Sequence, residues 1–223
     1  MTKSTTLFSL NACQLKWIAC ISMLIDHIGV FLFPQYQLLR VLGRLAFPIF
    51  AFMVANGYRH THNLGRYFMR LGLFAILYQP IYRICLGDHF NIFATLFIGM
   101  AAIYLYEQLL HRTGYPVLAW IPPIALSVLA QALHLEYGAY GVILIFTAHL
   151  FFQNPQGLII SWVLASLAYV TIYWPTTTQA YALFALPLLL HYNQQRGRNN
   201  KWLFYIFYCT HIPLLYLVQQ ILL

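Results

Sequence analysis

Long apolar runs separated by short polar segments dominate this sequence and limit its fold more than any other feature. A helix needs about 20 residues to cross a hydrocarbon core of about 30 Å, and most of the runs approach that length. Of the 223 residues, 61% are apolar and only 7% are charged, so the chain has too little polar surface to cover a soluble globule. The sequence therefore predicts a polytopic integral membrane protein in contact with the lipid bilayer.

The apolar runs predict an all-α helical bundle of about nine transmembrane helices, within a range of about 8 to 10. A β-barrel is disfavoured because the runs are continuous and do not alternate with a period of two. No connection is long enough for a soluble domain, so we expect one transmembrane domain over residues 1–223. The predicted spans are 14–33, 38–58, 67–86, 91–110, 116–133, 137–152, 157–173, 179–192 and 202–223. The eighth is short, and it is tilted, re-entrant or fused with the seventh.

The basic residues gather in alternate connections, on one side of the predicted membrane. They are Lys3, Lys16, Arg59, Arg66, Arg70, Arg112, Arg196, Arg198 and Lys201. Cytoplasmic loops carry the excess of Lys and Arg, so we expect a cytoplasmic N-terminus and, with nine spans, an external C-terminus. Topology thus explains the net charge of +8, and no nucleic acid partner is expected because the basic residues form short clusters and not a continuous face.

Cysteine and histidine spacing gives little indication of a disulfide or a metal site. The four cysteines form no CxxC pair and lie mostly in apolar runs, so neither a disulfide framework nor a zinc site is expected. His60 and His62 form an HxH pair, which is a weak metal signal without Cys or acidic partners. The first apolar run is long enough to remain as a span, so we expect no cleaved targeting peptide.

Two ionisable residues, Asp26 and His27, lie deep in the first predicted span. At about 1.5 Å per residue, they are about 18 to 20 Å from the inner edge of the membrane. A charged carboxylate is costly at that depth unless it is paired, so an intramembrane acid indicates a functional site by default. Adjacent helical residues point about 100° apart, so we do not expect Asp26 to orient His27 directly.

The second predicted span brings two arginines, Arg40 and Arg44, to a similar depth. They are one helical turn apart, and Arg44 lies nearly level with Asp26. Arginine keeps its proton in proteins and its planar fork fits a carboxylate, so we predict an ion pair between Asp26 and one of these arginines. Pro48 removes a backbone donor, and we expect it to kink the helix below them.

The last predicted span adds His211, with Tyr205 and Tyr208 on the same helical stripe. His211 lies about 14 Å from the inner edge, within about one turn of the layer that holds His27 and Arg44. Such a stripe surrounds an imidazole with aromatic walls and phenol donors. We therefore expect the first, second and last spans to converge on one site.

The polar residues of the spans divide into candidate catalytic groups and structural groups. The catalytic candidates are Asp26, His27, Arg44 and His211. Four costly groups at one depth exceed what packing requires, although a single polar residue in a span often serves only to hold helices together. The structural interpretation is favoured for Gln79, Gln108, Gln131 and His149.

Further candidate binding residues lie near the ends of the spans. The predicted substrate-binding residues are Arg40, Tyr208, Asn91 and Tyr137. Asn91 and Tyr137 either line an extracytoplasmic entrance or belong to a tight turn and close helix packing. Arg59, Arg66 and Arg70 either set the topology of a cytoplasmic connection or hold the phosphates of an anionic donor.

Several sequence elements resemble one protein family. They are LK at 15–16, MLIDHIG at 23–29, RVLGRLAFPIFAF at 40–52, GYRHT at 57–61 and FYCTH at 207–211. In these elements the chain resembles the TraX family, over essentially its whole length and most densely in the first 80 residues. The Asp-His and Gly-Arg-x-Ala-Phe-Pro elements are the most specific.

The resemblance implies an acetyltransferase of the bacterial cytoplasmic (inner) membrane. The TraX family is associated with N-terminal acetylation of conjugative pilin, and it resembles multispanning acyltransferases that carry acetyl groups across membranes. The resemblance implies acetyl-CoA as the donor substrate. We expect the acceptor to be an amine or hydroxyl of a pilin or of another cell-envelope substrate, and the sequence leaves oligomerisation open.

The predicted mechanism uses the buried layer for acyl transfer. His27 would act as general base or transient acetyl carrier, with His211 as the alternative. Arg44, together with Tyr208, would stabilise the oxyanion of the tetrahedral intermediate, and Asp26 would hold the arginine in place. The phosphates of acetyl-CoA would bind at the three arginines near residues 59–70.

Two other classes of function remain open at this stage. A proton-coupled transporter or channel would use Asp26, His27 and His211 as a proton relay, but the polar residues thin out in the inner half and no paired broken helices indicate inverted repeats. A non-catalytic envelope assembly protein would need none of these groups for chemistry.

Overall fold

The computed structural model describes residues 9–175, 177–198 and 201–222, without the side chains of Lys201 and Leu203. In this part of the chain all regular elements are helical, and β-pairing is limited to two isolated bridges. The helices are α1 (Ala12–Phe31), α2 (Gln37–Gly43), α3 (Ala46–His60), α4 (Leu64–Leu86), α5 (Ile92–Thr113), α6 (Pro116–Ala119), α7 (Ile121–Ala132), α8 (Gly138–Leu150), α9 (Pro155–Ile172), a 3-10 helix (Thr178–Phe184), α10 (Ala185–Leu190) and α11 (Lys201–Leu222). The all-α prediction is confirmed. Lys3 of the predicted topology and Leu223 of the last predicted span lie outside the described residues.

Among the described residues, five helical segments are long and apolar enough to cross a membrane. They are Ala12–Phe31, Gln37–His60, Ile92–Thr113, Pro155–Ile172 and Phe204–Leu222. They coincide with the first, second, fourth, seventh and ninth predicted spans. These segments support a membrane protein, as the apolar runs predicted.

The helices of the other four predicted spans are less apolar or shorter than those of that group. α4 has 23 residues but includes Arg66, Arg70 and Arg83. The predicted spans 116–133, 137–152 and 179–192 hold shorter helices. The 13 residues of α8, for example, rise only about 20 Å, against a hydrocarbon thickness of about 30 Å. Nine crossings and the cytoplasmic N-terminus therefore stay predictions.

The described helices form two compact units. The first contains the described residues up to Met53 and those from Trp174 onward, and the second contains Val54–Tyr173. α3 begins in the first unit and ends in the second. The expectation of one transmembrane domain over 1–223 stays a prediction.

In the first unit, α1 begins at a well-defined cap. The Asn11 side chain accepts from the backbone of Gln14, whose side chain accepts from the backbone of Asn11, so two orphan donors of the first turn are satisfied. The preceding Leu10 donates its N–H to the carbonyl of His191 and accepts from the N–H of Asn193. These bonds hold the start of α1 against the segment that precedes α11.

The second candidate span is interrupted where its charged residues lie. α2 ends at Gly43 and α3 begins at Ala46, so the break falls at Arg44. The sequence predicted a kink below Arg44, whereas the helix is broken at Arg44 itself. The reason is steric, because the ring of Pro48 conflicts with the carbonyl four residues earlier, which belongs to Arg44.

In the second unit, α5 is the central helix, packed against α4, α7 and α8. It starts at the N-cap Asn91 and ends at Gly114, whose φ of 69° is the left-handed conformation that glycine adopts readily. Gly99 faces Ile145 of α8 so closely that a Cβ at this position would lie 2.9 Å from the Ile145 Cβ. The absence of a side chain thus sets the distance between α5 and α8.

We expect Gly99→Ala to destabilise the protein. The added methyl group must displace Ile145, and overpacking of this kind costs about 1 to 3 kcal/mol. The matched control is Gly65→Ala in the first turn of α4, where the nearest atom is 3.6 Å from the position that the added methyl group would take and helix propensity favours Ala by up to about 1 kcal/mol. Thermal unfolding of the purified variants should place Gly99→Ala below wild type and Gly65→Ala at or above it. Equal unfolding temperatures for both variants would contradict this packing argument.

Candidate functional site

One face of α1 is built to approach α2 closely. Ser22, Asp26 and Gly29 follow at spacings of four and three residues, so they lie on one side of the helix. The Ser22 hydroxyl donates to the carbonyl of Leu42 at 2.6 Å and to that of Gly43 at 3.2 Å. Ser22 therefore satisfies carbonyls at the end of α2 that the helix break leaves without partners.

The carboxylate of Asp26 is held between two arginines of the second candidate span. Arg40 Nη1 lies 2.6 Å from Asp26 Oδ2, and Arg44 Nη2 lies 2.7 Å from Oδ1 and 2.9 Å from Oδ2. The side chain of Asp26 is only 12% exposed and that of Arg44 only 14%. The predicted ion pair is confirmed, and it involves both arginines where the sequence left a choice of one.

Gly43 allows the ion pair to form. A Cβ at Gly43 would overlap the side chain of Asp26, including the carboxylate oxygen Oδ1. Any larger residue would push α2 away from α1 and separate Asp26 from the arginines. The Gly-Arg sequence at 43–44 thus couples a close helix approach to a buried charge.

Arg44 is held from three sides. Besides the bonds to Asp26, its Nε donates to the carbonyl of Arg40 at 3.2 Å, and its Nη1 donates to Gln179 Oε1 at 3.3 Å. Two guanidinium charges against one carboxylate leave one net positive charge in this cluster. Gln179 was not among the predicted site residues, although an amide at the start of the apolar run 179–192 was an available signal.

A different face of α1, about 100° around the helix from Asp26, brings His27 against His211 of α11. His27 Nδ1 and His211 Nε2 lie 3.1 Å apart, and both residues are buried. The other nitrogen of His211, Nδ1, lies 2.8 Å from the carbonyl of Phe207. The prediction that the first and last spans bring their histidines together is confirmed.

When both imidazoles are neutral, their hydrogen-bond partners determine which nitrogen of each ring carries the proton. The carbonyl of Phe207 can only accept, so His211 Nδ1 carries a proton and His211 Nε2 holds a lone pair. His27 Nδ1 must then donate to His211 Nε2. The lone pair of neutral His27 consequently lies on Nε2, which is the nitrogen able to accept a proton from another group.

Aromatic rings surround the imidazole pair. His211 is stacked on Phe207 with an interplanar angle of 2°, and Tyr208 meets it edge-on with centroids 5.8 Å apart. Phe31 lies 6.4 Å from His27 between ring centroids. Of the predicted stripe, Tyr208 and His211 are buried and Tyr205 is half-buried, so aromatic side chains cover most of the imidazole surface.

The predicted donor-binding arginines lie in the second unit, around the connection from α3 to α4. Arg59 Nη2 donates to the carbonyl of His149 at 2.7 Å, and the guanidinium of Arg70 lies 5.4 Å from the ring centroid of Tyr67. Arg59 and Arg66 are exposed. Their exposure is compatible with either topology-setting charge or phosphate binding.

Asn91 and Tyr137 have structural positions. Asn91 is fully buried, and its side chain donates to Gln79 Oε1 at 2.8 Å and to the carbonyl of Ala75 at 2.9 Å, while it accepts from the N–H of Phe93 at 3.0 Å. It caps α5 and binds that helix to α4. Tyr137 is the N-cap residue of α8 and is half-buried. These positions agree with the turn-and-packing alternative, and the entrance role stays a prediction.

A second polar cluster, which the sequence did not single out as a site, joins α3, α5 and α8. Tyr58 donates to Glu107 Oε2 at 2.6 Å, and His149 Nε2 lies 3.0 Å from Glu107 Oε1. The structural interpretation of His149 as a link between helices is confirmed. Glu107 was overlooked because it is a single acid near the end of an apolar run.

Comparisons with known proteins agree with the sequence elements. The family model described as TraX protein matches residues 11–219. A protein of Dichelobacter nodosus named probable fimbrial assembly protein FimC, serogroup H1, is 26% identical over 238 residues, which cover 92% of this chain and 94% of the relative. The uncharacterized protein RP591 of Rickettsia prowazekii (strain Madrid E) is 31% identical over 97 residues, covering 42% of this chain and 37% of the relative. No solved structure matches the chain.

We expect Asp26→Asn to lower the stability of the protein far more than Asp88→Asn does. Asp26→Asn leaves two largely buried guanidinium groups without their carboxylate, which typically costs about 3 to 5 kcal/mol. Asp88 also pairs with an arginine, Arg83, but its side chain is 85% exposed, and such a pair contributes below about 1 kcal/mol. Thermal unfolding in one detergent measures both. A similar loss of stability for the two variants would show that the buried pair does not organise the first unit.

Proposed function

This chain belongs to the TraX protein family, and from that premise we propose that it is an integral membrane acetyltransferase of pilus or fimbrial assembly. The donor is acetyl-CoA, and the acceptor is an amine or hydroxyl of a pilin or other cell-envelope substrate. The Dichelobacter nodosus relative, named as a probable fimbrial assembly protein, supports the envelope context. The observation that carries the proposal is the buried pair of His27 and His211. His27 lies on α1, the helix that also carries Asp26.

His27 is the proposed general base. The hydrogen-bond network gives its Nε2 a lone pair, and an imidazole suits proton transfer near neutral pH. His211 accepts the Nδ1 proton of His27 in a hydrogen bond and so fixes the ring orientation. The sequence left the choice between the two histidines open, and we propose His27 as the base with His211 as its positioning residue.

The proposed reaction is a direct acyl transfer. The lone pair of the acceptor nitrogen or oxygen attacks the thioester carbonyl carbon while His27 Nε2 takes the acceptor proton. A tetrahedral oxyanion forms, and its collapse restores the carbonyl and breaks the carbon–sulfur bond. The leaving thiolate takes the proton from the His27 imidazolium and departs as the thiol of CoA. The acetyl group and one proton change places, and nothing is oxidised or reduced.

The oxyanion is stabilised by the positive cluster at Asp26. The cluster keeps one net positive charge, and a preorganised donor in a site without water is worth about 3 to 4 kcal/mol in such reactions. Arg44 is the proposed donor of this cluster, because Asp26 and Gln179 hold its guanidinium at Nη2 and Nη1. Tyr208, buried at the edge of the His211 ring, is the proposed second donor.

Arg59, Arg66 and Arg70 are the proposed sites for the phosphates of acetyl-CoA. Guanidinium forks match phosphate geometry, and Arg66 is exposed at the start of α4. The transporter alternative has less support, because Asp26 faces α2 while His27 faces α11, so the three groups of the predicted relay do not form one chain of contacts.

We expect His27→Ala to abolish acetyl transfer without loss of the folded protein. Removal of a general base typically lowers turnover by about 10² to 10⁴-fold. Purified protein in detergent is incubated with radiolabelled acetyl-CoA and an acceptor peptide that has a free N-terminus, and the release of CoA is measured. The control is His111→Ala, since His111 is exposed in the last turn of α5.

The same assay separates the outcomes. Normal turnover by His27→Ala would eliminate this assignment. A wild-type protein that neither binds acetyl-CoA nor releases CoA would contradict the enzyme proposal and favour an assembly protein without catalysis.

Arg44→Lys should lower kcat and leave KM for acetyl-CoA near the wild-type value. Lysine keeps the charge but loses the fork that joins Asp26 to Gln179, so the cluster loses its fixed geometry at the reacting atoms. Steady-state kinetics at several acetyl-CoA concentrations measures both constants. Unchanged kcat would show that the fork of Arg44 has no part in turnover, and a change in KM alone would move Arg44 to donor binding.

A further inference from the structure

A deep apolar trench runs along one face of α4 in the second unit. Its volume is about 720 Å³, within the range of about 300 to 1,000 Å³ that ligand sites occupy. Its walls include Gly72, Ala75, Gln79 and Arg83 of α4 and Ala94 and Phe97 of α5. Gly72, Ala75 and Ala94 keep this space open, because larger side chains at these positions would fill the gap between the two helices. We call this space the α4 trench.

The length of the α4 trench matches one leaflet of a bilayer. From Gly72 to Arg83 the helix advances about 16 Å, and half of a hydrocarbon core of about 30 Å is about 15 Å. The neighbouring surface of α4 is strongly apolar and exposed, with Ile76 at 73% and Ile84 at 70%. In a membrane such a surface faces lipid, so an acyl chain can enter the trench from the side.

The charged end of the α4 trench carries an exposed pair of opposite charges. Arg83 Nε lies 2.7 Å from Asp88 Oδ1, and the two side chains are 65% and 85% exposed. This bond uses Nε, and among the described residues neither Nη of Arg83 has a hydrogen-bond partner. An exposed pair contributes little to stability, so both groups can rearrange around a ligand.

We propose that the α4 trench binds an acyl chain of phosphatidylethanolamine, a phospholipid whose headgroup carries a phosphate and a primary ammonium. The Nη groups of Arg83 donate to the phosphate, Asp88 accepts from the ammonium, and the chain lies along Ala75 and Phe97. The site is contained in the second unit and does not depend on the proposed acetyl transfer.

Charge complementarity selects this lipid over phosphatidylglycerol and phosphatidylcholine. The headgroup of phosphatidylglycerol has a net negative charge and no cation, so it gains the contact with Arg83 but meets the carboxylate of Asp88 without compensation. The headgroup of phosphatidylcholine has a cation, but its quaternary ammonium has no proton to donate to Asp88. A phosphate and a primary ammonium together satisfy both members of the pair.

Native mass spectrometry of the purified full chain tests the proposal. The protein is titrated in detergent with phosphatidylethanolamine, phosphatidylglycerol or phosphatidylcholine of the same acyl chains, and the fraction with one bound lipid is measured. We expect wild type to bind phosphatidylethanolamine about tenfold more tightly than either of the others, the change expected from one charge-assisted contact. Arg112→Gln, which removes an exposed arginine at the end of α5, should leave this order unchanged.

Three variants separate the parts of the site. Arg83→Gln should weaken the binding of all three lipids about tenfold, because all of them carry the phosphate. Asp88→Asn should weaken the binding of phosphatidylethanolamine and strengthen the binding of phosphatidylglycerol, so that the order of their affinities reverses. Ala75→Phe should reduce all binding by filling the trench, with the headgroup residues intact.

The Asp88 variant decides the outcome, because its side chain is 85% exposed and its replacement does not disturb folding. Equal retention of the three lipids by wild type, or an unchanged order in Asp88→Asn, would overturn the headgroup assignment and with it the proposal. Full lipid binding by a folded Ala75→Phe variant would overturn the trench as the site.

Discussion

The carboxylate of Asp26 between two guanidinium groups is the interaction on which the rest of the first unit depends. An unpaired charge in an apolar layer is too costly to persist, so the carboxylate and the arginines fix one another's positions. Gly43 makes the contact possible by leaving room for the carboxylate, and Ser22 binds the carbonyls at the end of α2. Through Arg44 the same cluster reaches Gln179 and thereby holds the 3-10 helix. One buried charge thus determines the arrangement of α1, α2 and a segment far along the chain.

The consequence for function follows from the geometry of a single helix. Adjacent residues on α1 point about 100° apart, so Asp26 is directed to α2 and His27 to α11. The imidazoles therefore form their own hydrogen-bonded pair, and the carboxylate of Asp26 pairs with the arginines instead. A base that keeps a lone pair, on the same helix as a cluster with net positive charge, is compatible with the proposed acyl transfer and gives less support to a linear proton relay.

The sequence was most informative where burial leaves few choices. An acid at the depth of two arginines was expected to pair with one of them, and the helical rise per residue placed His27 and His211 within about one turn of each other. The sequence was weak where one side chain has several equally acceptable partners. Asn91 was a candidate for an entrance, but its amide is used to cap α5 and to bind α4. Glu107 gave no signal because its partners come from two other helices.

The sequence by itself determined that the chain is helical, that its long apolar segments suit a membrane and that its buried charges must be paired, because these follow from composition and from the cost of an unpaired charge in an apolar medium. Only the tertiary structure decided that Asp26 binds both arginines, that the second span breaks at Arg44 and that His27 keeps its Nε2 lone pair. These depend on distances between helices, which Gly43 and other close contacts set and which no periodicity in a single segment can specify.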